Sequence, residues 1–248
     1  MIEPGSPGDW RDLENAVARI LRESGLDADT DQEIRLARGT AAVDVLARDQ
    51  STTPPSTYIC ECKHWQRAIS KDTVHGFRTV VGDSGANRGF LISSGGFQSG
   101  AREAADFSNV ALVTWLQFQD LFVTRWFQTF MAPTLIQEGG ALHEYTEPIN
   151  SRIERRASGL SPEQQQHFRR LQETYAAPSF ILLTLWYRPF SRGKPPALPL
   201  RGSVNGDVAE TLPSQILDVT ALRSLMNEAS KFYGQATTEF DEVFGGRA

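Results

Sequence analysis

Three charged residues interrupt apolar runs in the first quarter of the chain. Asp44 lies in the run VDVL, and Glu61 and Lys63 lie in the run YICECK. Because side chains alternate along a strand, Glu61 and Lys63 are expected to point to the same face. An isolated charge in a buried strand is costly unless it is paired or bound to a metal. Two interpretations follow: a buried ion-pair cluster without a catalytic role, or a reactive site.

The same residues have the chemistry that phosphodiester hydrolysis requires. Two carboxylates from adjacent strands would supply the hard oxygen ligands that Mg²⁺ prefers, and Mn²⁺ is expected to substitute. Such an ion polarises a phosphoryl oxygen and lowers the pKa of a bound water molecule. Lys63 could orient or deprotonate that water and offset negative charge in the transition state. We expect the backbone carbonyl of Cys62, which lies between Glu61 and Lys63, to be a further ligand.

The surrounding pattern predicts an α/β fold that would position these residues. The elements imply a mixed sheet of about five strands with helices on both faces. Helices are predicted at 10–23, 70–81, 98–107 and 116–130, and strands at 33–37, 41–47, 58–63, 89–93 and 110–114.

An Asp followed, after a gap of hairpin length, by Glu-X-Lys resembles the signature of the PD-(D/E)XK nucleases. The flanking residues resemble the Mrr-like restriction endonuclease branch of that superfamily. They are Leu13-Glu14 on the first helix, Gly39 before the Asp strand, Trp65 soon after the lysine, and the segment GFLISSGGFQSGA. The resemblance covers about residues 10–127. Val43 stands where the proline of the motif's name would be, but a metal does not need that proline.

The resemblance implies a restriction-endonuclease-like fold and a Mg²⁺-dependent DNA endonuclease that serves host defence against foreign or viral DNA. It also implies a catalytic role for Glu14, which could instead be a stripe-edge residue that reaches solvent. Two alternatives stay open. One is a non-catalytic nucleic-acid-binding or sensor module, and the other is a nuclease that acts on RNA or branched DNA. A homodimer or an activating partner protein is also compatible with the sequence, and no organic cofactor is expected.

Residues 132–248 are predicted to form a separate, smaller α+β region that recognises the target or a partner. We expect a helix at 162–174, a strand at 180–187 and a final helix at about 220–233. Residues 151–201 hold nine Lys and Arg against three Asp and Glu, an excess that could follow a phosphate backbone. The candidate nucleic-acid contacts are Lys71, Arg78 and Ser99 in the first half of the chain, and Arg152, Arg155 and Arg156 in the second.

The bulk composition is that of an ordinary globular protein. The chain has 248 residues, of which 40% are hydrophobic, and a formal net charge of −5. No run reaches the roughly 18 apolar residues of a membrane span. Cys60 and Cys62 are expected to be small core residues in a reducing compartment, and a cytoplasmic location without membrane contact is the expectation.

Overall fold

The computed structural model describes residues 1–204, 206 and 210–245. The chain forms two compact units. One comprises Gly5–Thr129, and the other joins Met1–Pro4 to the chain from Phe130 onward. No helix in the described ranges is both long enough and apolar enough to cross a membrane.

The first unit contains a mixed five-stranded sheet in the order β1-β2-β3-β4-β5. The pairs β1–β2 and β2–β3 are antiparallel, and β3–β4 and β4–β5 are parallel. This confirms the predicted α/β, restriction-endonuclease-like fold. The elements are α1 Trp10–Glu23, β1 Asp27–Leu36, β2 Gly39–Asp49, β3 Ser56–Lys63, α2 Lys71–Ser84, β4 Arg88–Ser93, α3 Ser99–Ala105, β5 Val110–Thr114 and α4 Trp115–Trp126.

Helices cover both faces of this sheet, and β4 shows how. Phe90 packs edge-on against Phe118 and Phe122 of α4, while the next residue, Leu91, joins a core cluster with Phe77 of α2. Neighbouring strand residues point to opposite faces, so α4 and α2 lie on opposite sides. Helix α1 contacts α4, and α3 contacts α2. The two layers enclose the strands that carry Asp44 and Glu61.

The largest difference in the first unit is at β1, which begins at Asp27 rather than at the predicted position 33. Its first residues, DADTDQ, are acidic and contain little apolar signal. They form a strand because β2 offers a continuous partner, with Asp27 opposite Arg48 and Gln32 opposite Val43. β1 lies at the edge of the sheet and pairs only with β2, so polar residues are tolerated on it.

Every element of the second unit in the described residues is helical, so the prediction of an α+β tail is wrong. A π-helical turn, Phe127–Met131, precedes it. The elements are α5 Ala132–Thr146, α6 Ser151–Ser158, α7 Pro162–Trp186, α8 Arg188–Ser191, a 3-10 turn Leu200–Gly202, α9 Ser214–Leu217 and α10 Leu222–Val243.

The predicted strand at 180–187 lies mostly in α7. Its continuous apolar run has no polar alternation and could belong to a buried strand or a buried helix. Packing selects the helix, because Tyr175, Pro178, Leu182 and Trp186 form a buried stripe at helical spacing that passes through the proline. The Trp186 indole donates a hydrogen bond to the Tyr233 hydroxyl at 2.9 Å, which fixes α7 against α10.

Two further boundaries in this unit differ from the prediction. Residues 133–140, for which no helix was predicted, lie within α5. Gly139 is there because a Cβ would come within 2.8 Å of the Tyr233 ring. Helix α10 continues to Val243 rather than ending near 233, because Ala236 and Phe240 extend its buried stripe.

Candidate active site

The candidate site lies where β2 and β3 separate. Their pairing ends at Val45 opposite Cys60. Beyond that point β2 stays paired with β1, while β3 continues alongside β4 as far as Lys63 opposite Ser93. Asp44 and Glu61 are the next residues on each side of this fork. The two carboxylates predicted from the sequence are therefore on adjacent strands, at the first position where the strands no longer bond to each other.

Hydrogen bonds and charge hold the three predicted side chains together at the fork. Asp44 Oδ2 accepts a hydrogen bond from the backbone amide of Cys62 at 2.6 Å. Lys63 Nζ lies 2.5 Å from Glu61 Oε1 and 3.9 Å from Asp44 Oδ2. The side chains of Asp44, Glu61 and Lys63 are 25%, 23% and 19% exposed, so the cluster is sheltered but open to water. The Lys63 ammonium thus lies at the point where the two carboxylates converge.

The charges at the fork are strongly coupled. Burial and the charge of Asp44 raise the pKa of Glu61, and Lys63 offsets part of that rise. Burial opposes the charged form of Lys63, but the hydrogen bond to Glu61 and the negative charges of Glu61 and Asp44 outweigh it and raise the pKa of Lys63. The resting site therefore favours a protonated lysine.

Glu14, on α1, belongs to the same electrostatic environment. The residue is only 6% exposed. Burial, followed by the charges of Asp44 and Asp31, raises the pKa of its carboxyl to about 7, while Lys63 acts in the opposite direction. Of the two readings of Glu14 from the sequence, the structure favours a carboxylate near the site over a stripe-edge residue that reaches solvent.

Asp31 is a carboxylate near the site that sequence reasoning missed. In the β1–β2 ladder, Thr30 pairs with Val45 and Gln32 with Val43, so Asp31 faces Asp44 at a position where the ladder skips a pair. Asp31 has a φ of 52°, a left-handed conformation that interrupts the ladder but not the strand. The acidic run of β1 does not reveal which aspartate meets the site, because this depends on the hairpin register.

The donor set fits a hard divalent cation. Asp44 and Glu61 offer carboxylate oxygens, and the backbone carbonyl of Cys62, between Glu61 and Lys63 on β3, remains a predicted further ligand. Across the described parts of the chain, no three His, Cys, Asp or Glu side chains form a ready-made metal cluster. Mg²⁺ commonly takes only one or two carboxylates and fills its remaining positions with water and substrate oxygens. The thiols of Cys60 and Cys62 are buried, which raises the pKa of each, so neither is suited to act as a thiolate ligand.

The loops that follow β3 and β4 pack tightly beside the site. Gly95 lies against the backbone of the β3 loop, where a Cβ would come within 2.5 Å of the Trp65 carbonyl oxygen and 2.6 Å of the Arg67 carbonyl oxygen. The Trp65 ring is 37% exposed, with Lys63 Nζ 5.7 Å and the Arg67 guanidinium 5.3 Å from its centroid. Trp65 thus lies next to the lysine as an exposed aromatic surface.

A second ion pair supports the far end of β2. Asp49 is 1% exposed and is held by Arg125 of α4, whose Nη2 donates to Asp49 Oδ1 at 3.0 Å. The Arg125 hydrogen bond keeps the pKa of Asp49 well below its usual range. Arg125 also donates to the backbone carbonyl of Ser24 after α1 at 2.6 Å. This pair joins β2, α1 and α4, and no motif in the sequence indicated it.

The predicted DNA contacts in the first unit occupy different environments. Lys71 begins α2 and is exposed. Ser99 begins α3 and is also exposed. Arg78 is half-buried and donates to the Ala104 carbonyl at 2.6 Å, which ties α2 to α3. A structural role already engages Arg78, whereas Lys71 and Ser99 remain candidates for contact with a ligand.

The three arginines predicted as contacts on α6 are exposed, but two of them have partners in their own unit. Arg152 pairs with Glu144 at 2.5 Å. Arg156 stacks over Phe244, with its guanidinium carbon 4.1 Å from the ring centroid. Arg155 has no ion pair with any described residue. Their role in binding phosphate remains a prediction.

Comparisons with known proteins identify a family for the part of the chain that carries the candidate site. Residues 8–122 match the family model described as restriction endonuclease (Mrr_cat). A search of curated proteins gives no match. A crystal structure described as a protein of unknown function, AF1548, is 14% identical, with 92% of this chain and 100% of that chain covered and a TM-score of 0.39. That likeness is too low to support any statement about the site. Residues 8–122 therefore match a restriction-endonuclease domain, which confirms, over that part of the chain, the resemblance to the Mrr-like branch of the PD-(D/E)XK superfamily.

Proposed function

We propose that this domain is a Mg²⁺-dependent endonuclease that hydrolyses phosphodiester bonds in DNA, with Mn²⁺ able to substitute. The observation that carries the proposal is the fork at Asp44 and Glu61, where two carboxylates from adjacent strands converge on one positive charge, the Lys63 ammonium. The side chains of Asp44, Glu61 and Lys63 are partly exposed, so a phosphate could reach a cation held by them. The family match to a restriction endonuclease supports the same reaction class.

In the proposed mechanism, Asp44, Glu61 and the Cys62 carbonyl hold the ion. When bound, the metal polarises the scissile phosphate and supplies a more acidic water as the nucleophile. The hydrogen bond from the Cys62 amide fixes one oxygen of Asp44, so that carboxylate needs little reorganisation on binding. The fold therefore orders this metal-binding side chain before the ion binds.

Lys63 is proposed to act as a cation rather than as a resting base. Its pKa is raised, so it carries a proton near neutral pH. A protonated lysine can donate to a phosphate oxygen or to the attacking water, and it offsets the negative charge that builds up in the transition state. Glu61 holds it in position at 2.5 Å.

Glu14 is proposed as a third carboxylate that assists the reaction. With a pKa of about 7 it can hold or release a proton in the neutral range. That property suits a group that accepts a proton during water attack or passes it to the departing oxygen. Asp31, which faces Asp44 across the ladder, adds negative charge and helps to keep this pKa high.

The alternative is a non-catalytic nucleic-acid-binding or sensor module that kept the fold. A module that no longer carried out the reaction would have no reason to keep an ion-pair cluster that burial makes costly. The presence of all three residues, Asp44, Glu61 and Lys63, therefore disfavours this alternative. A preference for RNA or branched DNA is a further alternative, since the site chemistry acts on the phosphate and not on the sugar or base. A role in defence against foreign DNA is the biological setting that we propose.

Cleavage assays separate these possibilities. The full chain would be incubated with supercoiled, linear, methylated and single-stranded DNA and with RNA, in Mg²⁺, in Mn²⁺ and in EDTA. We expect metal-dependent cleavage of DNA that Asp44→Asn or Glu61→Gln removes. Binding of a metal ion or DNA without cleavage in any of these conditions would favour the sensor module.

A further inference from the structure

The C-terminal end of α7 and the turn after it carry an exposed surface of rings and positive charges. We call this surface the aromatic–basic platform. It consists of Phe180, Tyr187, Arg188, Phe190, Arg192 and Lys194. All six residues belong to the helical unit and are exposed. None of them belongs to the candidate active site or takes part in the proposed mechanism.

The rings of the platform are exposed although they are large and apolar. Phe180, Tyr187 and Phe190 are 57%, 46% and 58% exposed. Phe180 lies near the end of α7, and Tyr187, seven positions or about two helical turns later, is the residue that follows its last turn. The centroids of Tyr187 and Phe190 are 5.9 Å apart. The neighbouring rings of Tyr187 and Phe190, with Phe180 farther back on α7, form an exposed aromatic surface that favours a flat ligand.

Local hydrogen bonds hold these rings in place. The Phe190 amide donates to the Tyr187 carbonyl at 3.0 Å, and the Arg192 amide donates to the Arg188 carbonyl at 2.8 Å. Trp186, the residue before Tyr187, is buried and bonded to Tyr233. The turn is therefore already ordered, so binding of a ligand would not include the entropic cost of ordering it.

The charge of the platform is uncompensated within the described part of the chain. Arg188, Arg192 and Lys194 form no ion pair with any described residue. Arg201, farther along, shows the contrast, because it pairs with Asp218 at 2.6 Å. The sequence has no Asp or Glu between Glu173 and Asp207. An unpaired cluster of this kind attracts a polyanion.

We propose that the aromatic–basic platform binds single-stranded nucleic acid. Unpaired bases stack on exposed rings, and Arg and Lys contact the phosphates between them, which is the general mode of single-strand binding. In a duplex the bases are already stacked on each other, so the rings would gain little from it. Two copies of this chain would bring like charges together at the platform, which disfavours self-association there. The inference rests on the proposed function, with the strand as substrate or as product.

Binding is measured by fluorescence anisotropy on the full chain in EDTA, so that no cleavage occurs. The probe is a fluorescein-labelled single-stranded DNA of mixed sequence, and the same sequence as a duplex is the comparison. The charge variant is Arg188→Gln/Arg192→Gln. Its matched control is Arg169→Gln/Arg170→Gln, which removes two exposed arginines from the same helical unit. The ring variant is Tyr187→Ala/Phe190→Ala, and circular dichroism checks that each variant is folded.

The charge variant should weaken single-strand binding and flatten its salt dependence by about 1.4 units of slope, since each phosphate contact contributes about 0.7 for single strands. The ring variant removes two rings and should weaken binding at least about 5-fold, the lower limit for loss of a single stacked base, with little change in slope. The matched control should bind as wild type does. A loss of equal size in the control, or a duplex bound as tightly as the single strand, would overturn the inference.

Sedimentation with vesicles of phosphatidylserine and phosphatidylcholine tests the other polyanionic surface. Platform variants that lose vesicle binding but keep single-strand binding would overturn the inference in favour of a membrane. The proposed nuclease function fails separately, if wild type never cleaves with Mg²⁺ or Mn²⁺. If the protein never cleaves but its single-strand binding depends on the platform, the proposed nuclease function is wrong and the binding inference is still supported.

Discussion

The backbone amide of Cys62 donates a hydrogen bond to Asp44 Oδ2 across the gap between β3 and β2. This bond replaces the ladder bond that would have formed had the strands stayed paired. It positions the carboxylate of Asp44 without any help from the Cys62 side chain, which is buried and 4% exposed. The backbone and the side chain at position 62 should therefore have separable roles.

Replacing Cys62 with Ala should leave cleavage largely intact, whereas Lys63→Ala should abolish cleavage but permit DNA binding. The Cys62 variant keeps the amide and the carbonyl and loses only a small buried thiol, at a cost to stability of about 1 kcal/mol. The measurements are cleavage rate and DNA affinity for each folded variant. A Cys62→Ala protein as inactive as Lys63→Ala would show that this division of roles is wrong.

Glu14→Gln should change how stability depends on pH. The folded-state pKa of Glu14 is raised from 4.5 to about 7, so the folded state keeps a proton that the unfolded chain has already lost between these values. The free energy of unfolding that this proton contributes is lost as pH rises from 4.5 through 7. The Gln side chain is neutral at every pH, so the variant should not show this loss.

In EDTA, the melting temperatures of Glu14→Gln and wild type should be similar near pH 5, and the variant should be more stable near pH 8, by about 1–3 kcal/mol. Thermal melts across this range test the prediction. A difference that does not vary with pH would mean that Glu14 is not the titrating group.

Arg125→Met should destabilise the first unit by about 3–5 kcal/mol, because it leaves the buried Asp49 carboxylate without its partner. The pKa of Asp49 is lowered in the folded state, so the pair stabilises the protein above the unfolded pKa near 4 and its contribution is lost as pH falls further. The difference in the free energy of unfolding between wild type and Arg125→Met should therefore become smaller at acidic pH. Urea unfolding at neutral and acidic pH measures it, and the double variant Arg125→Met/Asp49→Leu should recover part of the loss.

Gly95→Ala should lower both stability and cleavage. The new Cβ would meet two backbone carbonyl oxygens, of Trp65 and Arg67, that cannot move without displacing the loop after Lys63. Gly100→Ala is the matched control, since the nearest atoms to its Cβ belong to Lys71 at 3.9 Å. A lower melting temperature and rate for Gly95→Ala alone is expected. Equal behaviour of the two variants would contradict the proposed close packing of the loops.

The sequence predicted the parts of this protein that local patterns specify. Alternating apolar residues around Asp44 and Glu61 predict two strands, and the shared face of Glu61 and Lys63 follows from strand geometry. Features that depend on register or on long-range packing were not predictable in this way. The hairpin register brings Asp31 opposite Asp44. The ion pair of Arg125 with Asp49 joins two residues that are 76 positions apart in the sequence.

The same limit explains the error in the second half of the chain. The run from Phe180 to Trp186 is apolar except for Thr184, so its period could not distinguish a strand from a helix. The contact between Trp186 and Tyr233 decides the matter, and nothing local indicates that contact.

The most direct test of the catalytic account is the cleavage of supercoiled DNA by the purified full chain in Mg²⁺, beside Asp44→Asn. The substitution is nearly isosteric, so the protein should fold as before, and it removes the charge that would hold the metal. We predict that wild type cuts DNA only when Mg²⁺ or Mn²⁺ is added, and that Asp44→Asn lowers the rate at least about 100-fold, as loss of a catalytic electrostatic contact typically does. Cleavage by Asp44→Asn at the wild-type rate, or cleavage by wild type that EDTA leaves unchanged, would contradict it.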